Sequence, residues 1–252
     1  MLLFNSPQAS YDFSLAGVSR TIRAMKLLLF DVDGTLLLTG GAGVRGMETA
    51  GVRCFGERFT LKNLTIAGGL DPLIYKEATA LAGVDDPHLH HDRFRETYLR
   101  ELKANLDLNP DKVHLLPGIE PLLRDLRGRA DVVLGLVTGN YTAAIPIKFA
   151  AVGLDPAWFP IHAFGDEAPD RPALVRLAVD RYHARYGQAI GNHDVIVIGD
   201  TPNDIHCAHA NGCACLAVAT GLYSMEDLRA AGADVVVHDL ADPQPLYDMI
   251  AR

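Results

Sequence analysis

No apolar run in this 252-residue chain approaches the roughly 20 residues that a membrane-spanning helix requires, which argues against a membrane partner. Cysteine is scarce. Cys54, Cys207, Cys213 and Cys215 form no C-x-x-C pair and are too few to staple a chain of this length, so free thiols in a reducing cytoplasm are expected. Basic charge is also short, with 23 Lys and Arg against 31 Asp and Glu, a net charge of -8 and an isoelectric point near 5.6. That balance argues against nucleic acid or an anionic membrane as the main partner, and it obliges any anionic substrate to find a local cationic site. The opening Met1-Leu2-Leu3-Phe4 lacks a basic segment and a long apolar core, so no secretory signal is expected. Repeats and low-complexity tracts are lacking as well. What the chain does have is an apolar fraction of 49% and a charged fraction of 21%, enough to bury a sizeable core in one large domain or two modest ones.

Residues 1–25 show no clean period, and Met25 stands directly before the first strand, so this stretch reads as a loose arm or as a mis-assigned start at Met25. Lys26-Leu27-Leu28-Leu29-Phe30 is a short apolar run that reads as a strand buried on both faces, and Asp31-Val32-Asp33-Gly34-Thr35 follows at its carboxyl end. From about Val44 to His114 the apolar spacing is helical, strongest near 44–55, 70–82 and 88–104, with no convincing strand. Asp71-Pro72 has the pattern of an N-cap followed by proline at the first helical position. Strand and helix then alternate. Strands are expected at 131–137, 159–164, 194–198, 213–218 and 234–237, and helices at 142–152, 172–186, 202–210 and 242–251. Strands separated by helices of this length imply a parallel sheet with right-handed crossovers. The fold class is therefore α/β, a parallel-sheet Rossmann-like core over 26–41 and 115–252 with an inserted all-helical cap over 42–114.

On such a sheet, polar clusters fall together at the carboxyl edge, where open α/β sheets bind ligands. They are Asp31 and Asp33, Thr138-Gly139-Asn140, Gly165-Asp166 with Arg171 beyond, and Gly199-Asp200 with Asp204. One such cluster reads equally well as a polar turn, since Asp and Gly are ordinary turn residues. Several at equivalent strand ends supply carboxylates for a divalent cation, a hydroxyl with backbone N–H groups for an oxyanion, and a basic side chain. Hard oxygen ligands of this kind suit Mg²⁺ bound beside a phosphate.

In the order and strand-end placement of Asp31-Val32-Asp33-Gly34-Thr35, Thr138-Gly139-Asn140, Arg171-Pro172 and Gly199-Asp200-Thr201-Pro202-Asn203-Asp204, the chain resembles the haloacid dehalogenase-like hydrolases over about residues 26–240. The helical insertion directly after the first motif looks like the cap of the phosphoglycolate phosphatase-like branch. This resemblance implies Mg²⁺-dependent hydrolysis of a small phosphomonoester, a phosphorylated metabolite such as phosphoglycolate. It implies Asp31 as nucleophile, Asp33 as general acid and base, and Thr138, Gly139 and Asn140 around the phosphoryl oxygens. A metal is implied at Asp31, Asp33 (through its carbonyl) and Asp200, with Asp204 supporting it. Asp33 favours phosphoryl transfer over dehalogenation, whose enzymes need no acid for the leaving group. The family usually has Lys where this chain has Arg171, so the cationic role falls to Arg171, with Lys148 as its rival. A sugar-phosphate mutase and a non-catalytic binding protein on the same scaffold are the alternatives, and pairing of two copies is left open.

Other patterns have plainer readings. Gly41-Ala42-Gly43-Val44-Arg45-Gly46 fits G-x-G-x-x-G, but no strand ends directly before it, so a hinge into the cap is expected and Arg45 is a surface residue. His206, Cys207, His209, Cys213 and Cys215 suggest zinc, yet the stretch reads fully as a helix, a Gly212 stop and a buried strand. His88-Leu89-His90-His91 reads as a solvated helix start. Gly68-Gly69-Leu70-Asp71 reads either as an ordinary turn or as a loop that selects substrate when the cap closes.

Overall fold

The computed structural model describes residues 25–252, and the expectation of an arm over 1–25 falls, but for Met25, outside them. The chain begins with β1 (Lys26–Phe30), continues through a two-residue strand β2 (Leu37–Leu38), and enters the helical insertion of α1 (Ala42–Phe55), α2 (Asp71–Ala82) and α3 (Pro87–Leu108). A second two-residue strand, β3 (His114–Leu115), returns antiparallel to β2, so the insertion leaves and re-enters the core through a short ribbon. Then follow α4 (Ile119–Gly128), β4 (Val132–Thr138), α5 (Ala144–Val152), β5 (Ile161–Phe164), α6 (Arg171–Tyr186) and β6 (Val195–Gly199). The chain closes with α7 (Pro202–His209), β7 (Ala214–Val218), α8 (Met225–Ala230), β8 (Val235–Val237) and α9 (Gln244–Ile250). The expected elements are all present, with ends displaced by a few residues. α4, α8 and the β2–β3 ribbon are additional to the expected elements, and the ribbon's strands are too short to show a period.

All six strands of the main sheet are parallel, in the order β5-β4-β1-β6-β7-β8. β1 therefore has β4 on one side and β6 on the other, and the chain winds outward in both directions from it, the topological switch where α/β sheets open a crevice. The register aligns the strand ends. Phe30 lies opposite Leu136 and Ile198, Thr138 opposite Phe164, and Gly199 opposite Ala217. The residues that follow these strands thus share one edge.

Both sheet faces are apolar. Leu28, Phe30, Leu134, Leu136, Ile196 and Ile198 pack with α4, α5 and α9 on one side, while Leu27, Leu29, Val133, Val195, Val197 and Cys215 pack with α6, α7 and α8 on the other. Continuous burial of this kind is why β1 reads as an unbroken run of leucines and not as an alternating strand. The cap has a core of its own, built on aromatic rings: Phe59, Phe94, Tyr75 and Tyr98 with Met47, Leu102 and Leu106. Tyr141, from the loop after β4, and Ala144, the first residue of α5, complete it. Among the described residues no helix is long and apolar enough to cross a membrane.

Candidate active site

Each carboxylate at the sheet edge is held by a local rule of chain geometry. Asp31 and Asp33 follow β1, and Gly34 turns the chain back with φ +77°, so that Gly34 N–H donates to Leu37 O at 3.0 Å. A side chain at Gly34 would collide with Asp200, since its Cβ would lie 2.4 Å from Oδ2, and Gly221 after β7 closes on the same oxygen still more tightly. Asp200 is thereby wedged between backbones, and Thr35 Oγ1 donates to its Oδ1 at 3.3 Å. Asp204 is the third helical residue of α7 and forms a reciprocal capping box with Thr201, whose N–H and hydroxyl donate to Asp204 Oδ2 at 3.1 and 2.7 Å. Its other oxygen accepts from Arg171 Nε at 3.2 Å and Nη2 at 2.5 Å.

Arg171 opens α6 behind the Asp170 cap and is buried. Besides Asp204 it approaches Asp31, with Nη2 3.3 Å from Oδ1, and its Nη1 donates to Gly68 O from the cap at 3.2 Å. Lys148, on α5, serves the other carboxylate, with Nζ 2.5 Å from both Asp33 Oδ2 and Asn140 Oδ1. The Asn140 amide donates to Asp33 Oδ2 and Thr138 Oγ1, each at 2.8 Å. Because Thr138 Oγ1 accepts that bond, its own proton is left for another acceptor. The structure thus places two cations, one on each catalytic candidate. Arg171 faces Asp31, and Lys148 faces Asp33.

Among the described residues, Asp31, Asp200 and Asp204 form the single carboxylate group close enough to hold a metal ion, with ligand atoms within 4.8 Å of one another. Asp33 turns its side chain away from them toward Lys148. Asp31 Oδ1 is buried and accepts no hydrogen bond, the Arg171 contact being too poorly aligned to count as one. Burial, with Asp204 and Asp33 adding to it and Arg171 opposing, pushes the Asp31 carboxyl up to about 6. Burial and then Asp31 and Asp204 push Asp200 up to about 8. Arg171 goes the other way, since the attraction of Asp204 and Asp31 outweighs its burial and raises its pKa further. The residues fit a hard divalent cation: crowded carboxylates, one with an orphaned oxygen, outnumber the cations that face them.

The Gly68–Asp71 turn lies against the sheet edge. Its carbonyl at Gly68 receives Arg171 and Asn203 Nδ2 (3.0 Å), and Asp71 N–H donates to Gly139 O at 2.8 Å. The Asp71 carboxylate does not cap its own helix as expected. It accepts from Tyr141 N–H at 2.9 Å, and Leu70 occupies the cap position without a side-chain bond. Gly139 stands so close to this turn that a Cβ there would lie 1.8 Å from Gly69 O. Spacing alone carried no sign of these contacts, which join segments far apart in sequence. His91, expected in solvent, is half-buried, with Nε2 2.9 Å from Tyr141 Oη. Arg45 is tied to Gly40 O (2.6 Å) and Asn105 Oδ1 (3.2 Å), as a hinge residue would be. His209 pairs with Asp234 at 3.0 Å, and Cys207, Cys213 and Cys215 are buried free thiols. Asp166 bonds the N–H and hydroxyl of Thr142, bracing the loop after β4.

Comparison with known proteins agrees with this geometry. The family model described as haloacid dehalogenase-like hydrolase matches residues 25–212. A phosphoglycolate phosphatase of Photorhabdus laumondii is 21% identical over 231 residues, spanning 89% of this chain and 93% of that one. Another, from Nitrosospira multiformis, is 27% identical over 233 residues, or 88% and 95%. Among solved structures, a hydrolase from Pseudomonas syringae aligns at a TM-score of 0.65 and 20% identity, covering 90% of this chain and 100% of that one. CbbY from Rhodobacter sphaeroides, solved with phosphate, aligns at 0.65 and 22% identity, covering 86% and 96%. At such identities the structural likeness speaks for the fold.

Proposed function

The chain belongs to the haloacid dehalogenase-like hydrolases, and we propose that within this family it hydrolyses small phosphomonoesters, using Mg²⁺ and an aspartyl-phosphate intermediate. The observation that carries this reading is the pairing of two carboxylates with separate partners. Asp31 has an unbonded oxygen beside Arg171 and the carboxylates of Asp200 and Asp204, and Asp33 is held by Lys148 and Asn140. In the proposed first step Asp31 Oδ1 attacks phosphorus, the bond from phosphorus to the ester oxygen breaks, and Asp33 gives that oxygen its proton. In the second, Asp33 takes a proton from water, the water oxygen attacks phosphorus, and the acyl-phosphate bond breaks to release inorganic phosphate and restore Asp31. Arg171 and the Thr138 hydroxyl hold the phosphoryl oxygens, and Lys148 keeps Asp33 in line with the leaving oxygen. Mg²⁺, held by Asp31, Asp200 and the main-chain carbonyl of Asp33, would draw off charge from the phosphoryl group and relieve the repulsion among the carboxylates. Asp204 has both oxygens engaged and acts by orienting Arg171. Where the family usually has Lys, Arg171 spans Asp31, Asp204 and Gly68 O with the separate nitrogens of its planar fork.

The relatives' names make phosphoglycolate the first ester to assay. Purified full chain with Mg²⁺ should release inorganic phosphate from phosphate esters, and EDTA should stop it. Isomerised sugar phosphate without free phosphate would replace this reading with a mutase, and release unaffected by Asp31→Asn would remove the aspartyl-phosphate.

A further inference from the structure

Between the sheet edge and the cap lies a cavity of about 650 Å³ with Asp31, Asp33 and Thr138 in its floor. Sites of about 300–1,000 Å³ accommodate drug-sized ligands, so a phosphorylated two-carbon acid would leave most of this one unfilled. The walls say what would fill it. The ribbon contributes Leu37 and Leu38, α1 contributes Val44 and Met47, and the cap loop contributes Leu61 and Ile66. Leu222 closes the rim. Val44 is 44% exposed and Leu222 86% exposed, apolar side chains that no core claims.

Charge on these walls is of the wrong sign for a second anion. Arg171 and Lys148, the cations of the floor, are engaged by Asp31 and Asp204 and by Asp33 and Asn140. The acidic side chain that the cap turn contributes, Asp71, offers no positive charge to an anion in either protonation state. Asp111, Lys112 and His114 stand exposed at the hinge, where water already solvates an anion. A carboxylate one carbon from the ester oxygen would therefore be buried beside Asp33 and Asp71 without a partner, whereas methylenes in the same place would leave water for an apolar wall.

We infer that the ester this site cleaves has an apolar alcohol part longer than two carbons, and that phosphoglycolate is a poor substrate for it. This rests on the hydrolase reading above and names the class of its leaving group. Phosphate release from n-alkyl phosphates, ethyl through octyl, and from phosphoglycolate would be measured with Mg²⁺. Binding of the matching alkylphosphonates, whose P–C bond cannot be hydrolysed, would be followed by calorimetry. kcat/KM and phosphonate affinity should each rise about three- to fourfold per methylene until the cavity is filled, with hexyl phosphate on the order of a hundredfold above phosphoglycolate. Val44→Asp and Leu222→Asp should flatten that slope. Both positions tolerate a polar residue, and Val44 lies in the first turn of α1, where an acidic side chain suits the helix dipole. A flat slope, or phosphoglycolate cleaved as well as hexyl phosphate, overturns the inference while leaving the hydrolase standing. Should no ester be cleaved, the hydrolase reading fails, and the phosphonate series still decides whether the cavity prefers apolar chains.

Discussion

The sheet edge and the cap meet across one cavity and are built on opposite principles. At the edge, charged groups are paired more than once. Arg171 has three partners, Asp204 has both oxygens bonded, and Asp33 is held by Lys148 and Asn140. The cap carries an aromatic core and faces the site with leucine, isoleucine, valine and methionine, meeting the edge through main-chain groups at Gly68 and Asp71 and through side chains packed on Tyr141. Polar groups fixed before substrate arrives are what stabilises developing charge, whereas apolar walls respond to the size of a ligand. On the proposed reading, the chemistry belongs to one region and the choice of ester to the other.

The sharpest way to break this division is at Asp31. Asp31→Asn should lower kcat by ~10⁴-fold or more while leaving the melting temperature unchanged or higher, because a crowded buried carboxylate is replaced by a neutral isostere. A variant with substantial activity would mean that another group attacks phosphorus. Arg171→Met comes next. It strands Asp204 and Asp31 in a buried site, so urea unfolding should show a loss of about 3–5 kcal/mol along with the loss of activity. Lys148→Met should cost roughly 1–3 kcal/mol of stability, because the Asp33 side chain it leaves is 40% exposed and can turn to water. Its larger effect should be on kcat, because Asp33 would lose the cation that holds it in line with the leaving oxygen. Equal stability losses for the two variants would mean that the exposure of Asp33 does not soften the loss of its cation.

How much of each region can be read from sequence follows from the same contrast. Asp31, Asp33, Thr138 and Asp200 stand out because a polar residue at or just after the end of a buried strand has little to do for the core, and several such strands end together, with Arg171 and Asp204 following in the first turns of α6 and α7. The cap walls do not stand out. Val44, Met47 and Leu61 have the spacing of any amphipathic helix or loop, and only the fold shows that they face a cavity. Asp71 misleads for a related reason, since Asp-Pro at a helix start has the pattern of an N-cap, and its true partner, Tyr141 N–H, is 70 residues away. α4 is a different case. Its Ile119, Leu122, Leu123 and Leu126 have helical spacing and all are buried, so the signal was present and local.

Where the two regions touch, smaller perturbations should separate them. Gly139→Ala inserts a Cβ 1.8 Å from Gly69 O, so either the Gly68–Asp71 turn or the loop after β4 must yield. The expected destabilisation is about 1–3 kcal/mol, with faster amide exchange at the start of α2 and unchanged exchange in β1 and β6. Exchange that quickens throughout the sheet would show that cap and edge are not separable units.

The smallest of these effects depends on pH. Burial, with Asp33 and Asp166 adding and Lys148 and the Tyr141 N–H opposing, pushes the Asp71 carboxyl up to about 7 from an ordinary 3.8. Between those values the folded protein binds a proton that the unfolded chain releases. The stabilisation is therefore complete below 3.8 and is lost as pH rises through about 7. Asp71→Asn keeps an oxygen for Tyr141 N–H and removes the titration. Compared in urea with EDTA present, the variant should gain on the natural protein by roughly 1–2 kcal/mol between about pH 6 and pH 8. Asp31 and Asp200 titrate in both proteins and cancel from that difference. A gap that stays constant with pH would mean that Asp71 keeps its charge in the folded state, with Lys148 drawn to it. The clasp between cap and edge would then be an ion pair and not a neutral hydrogen bond.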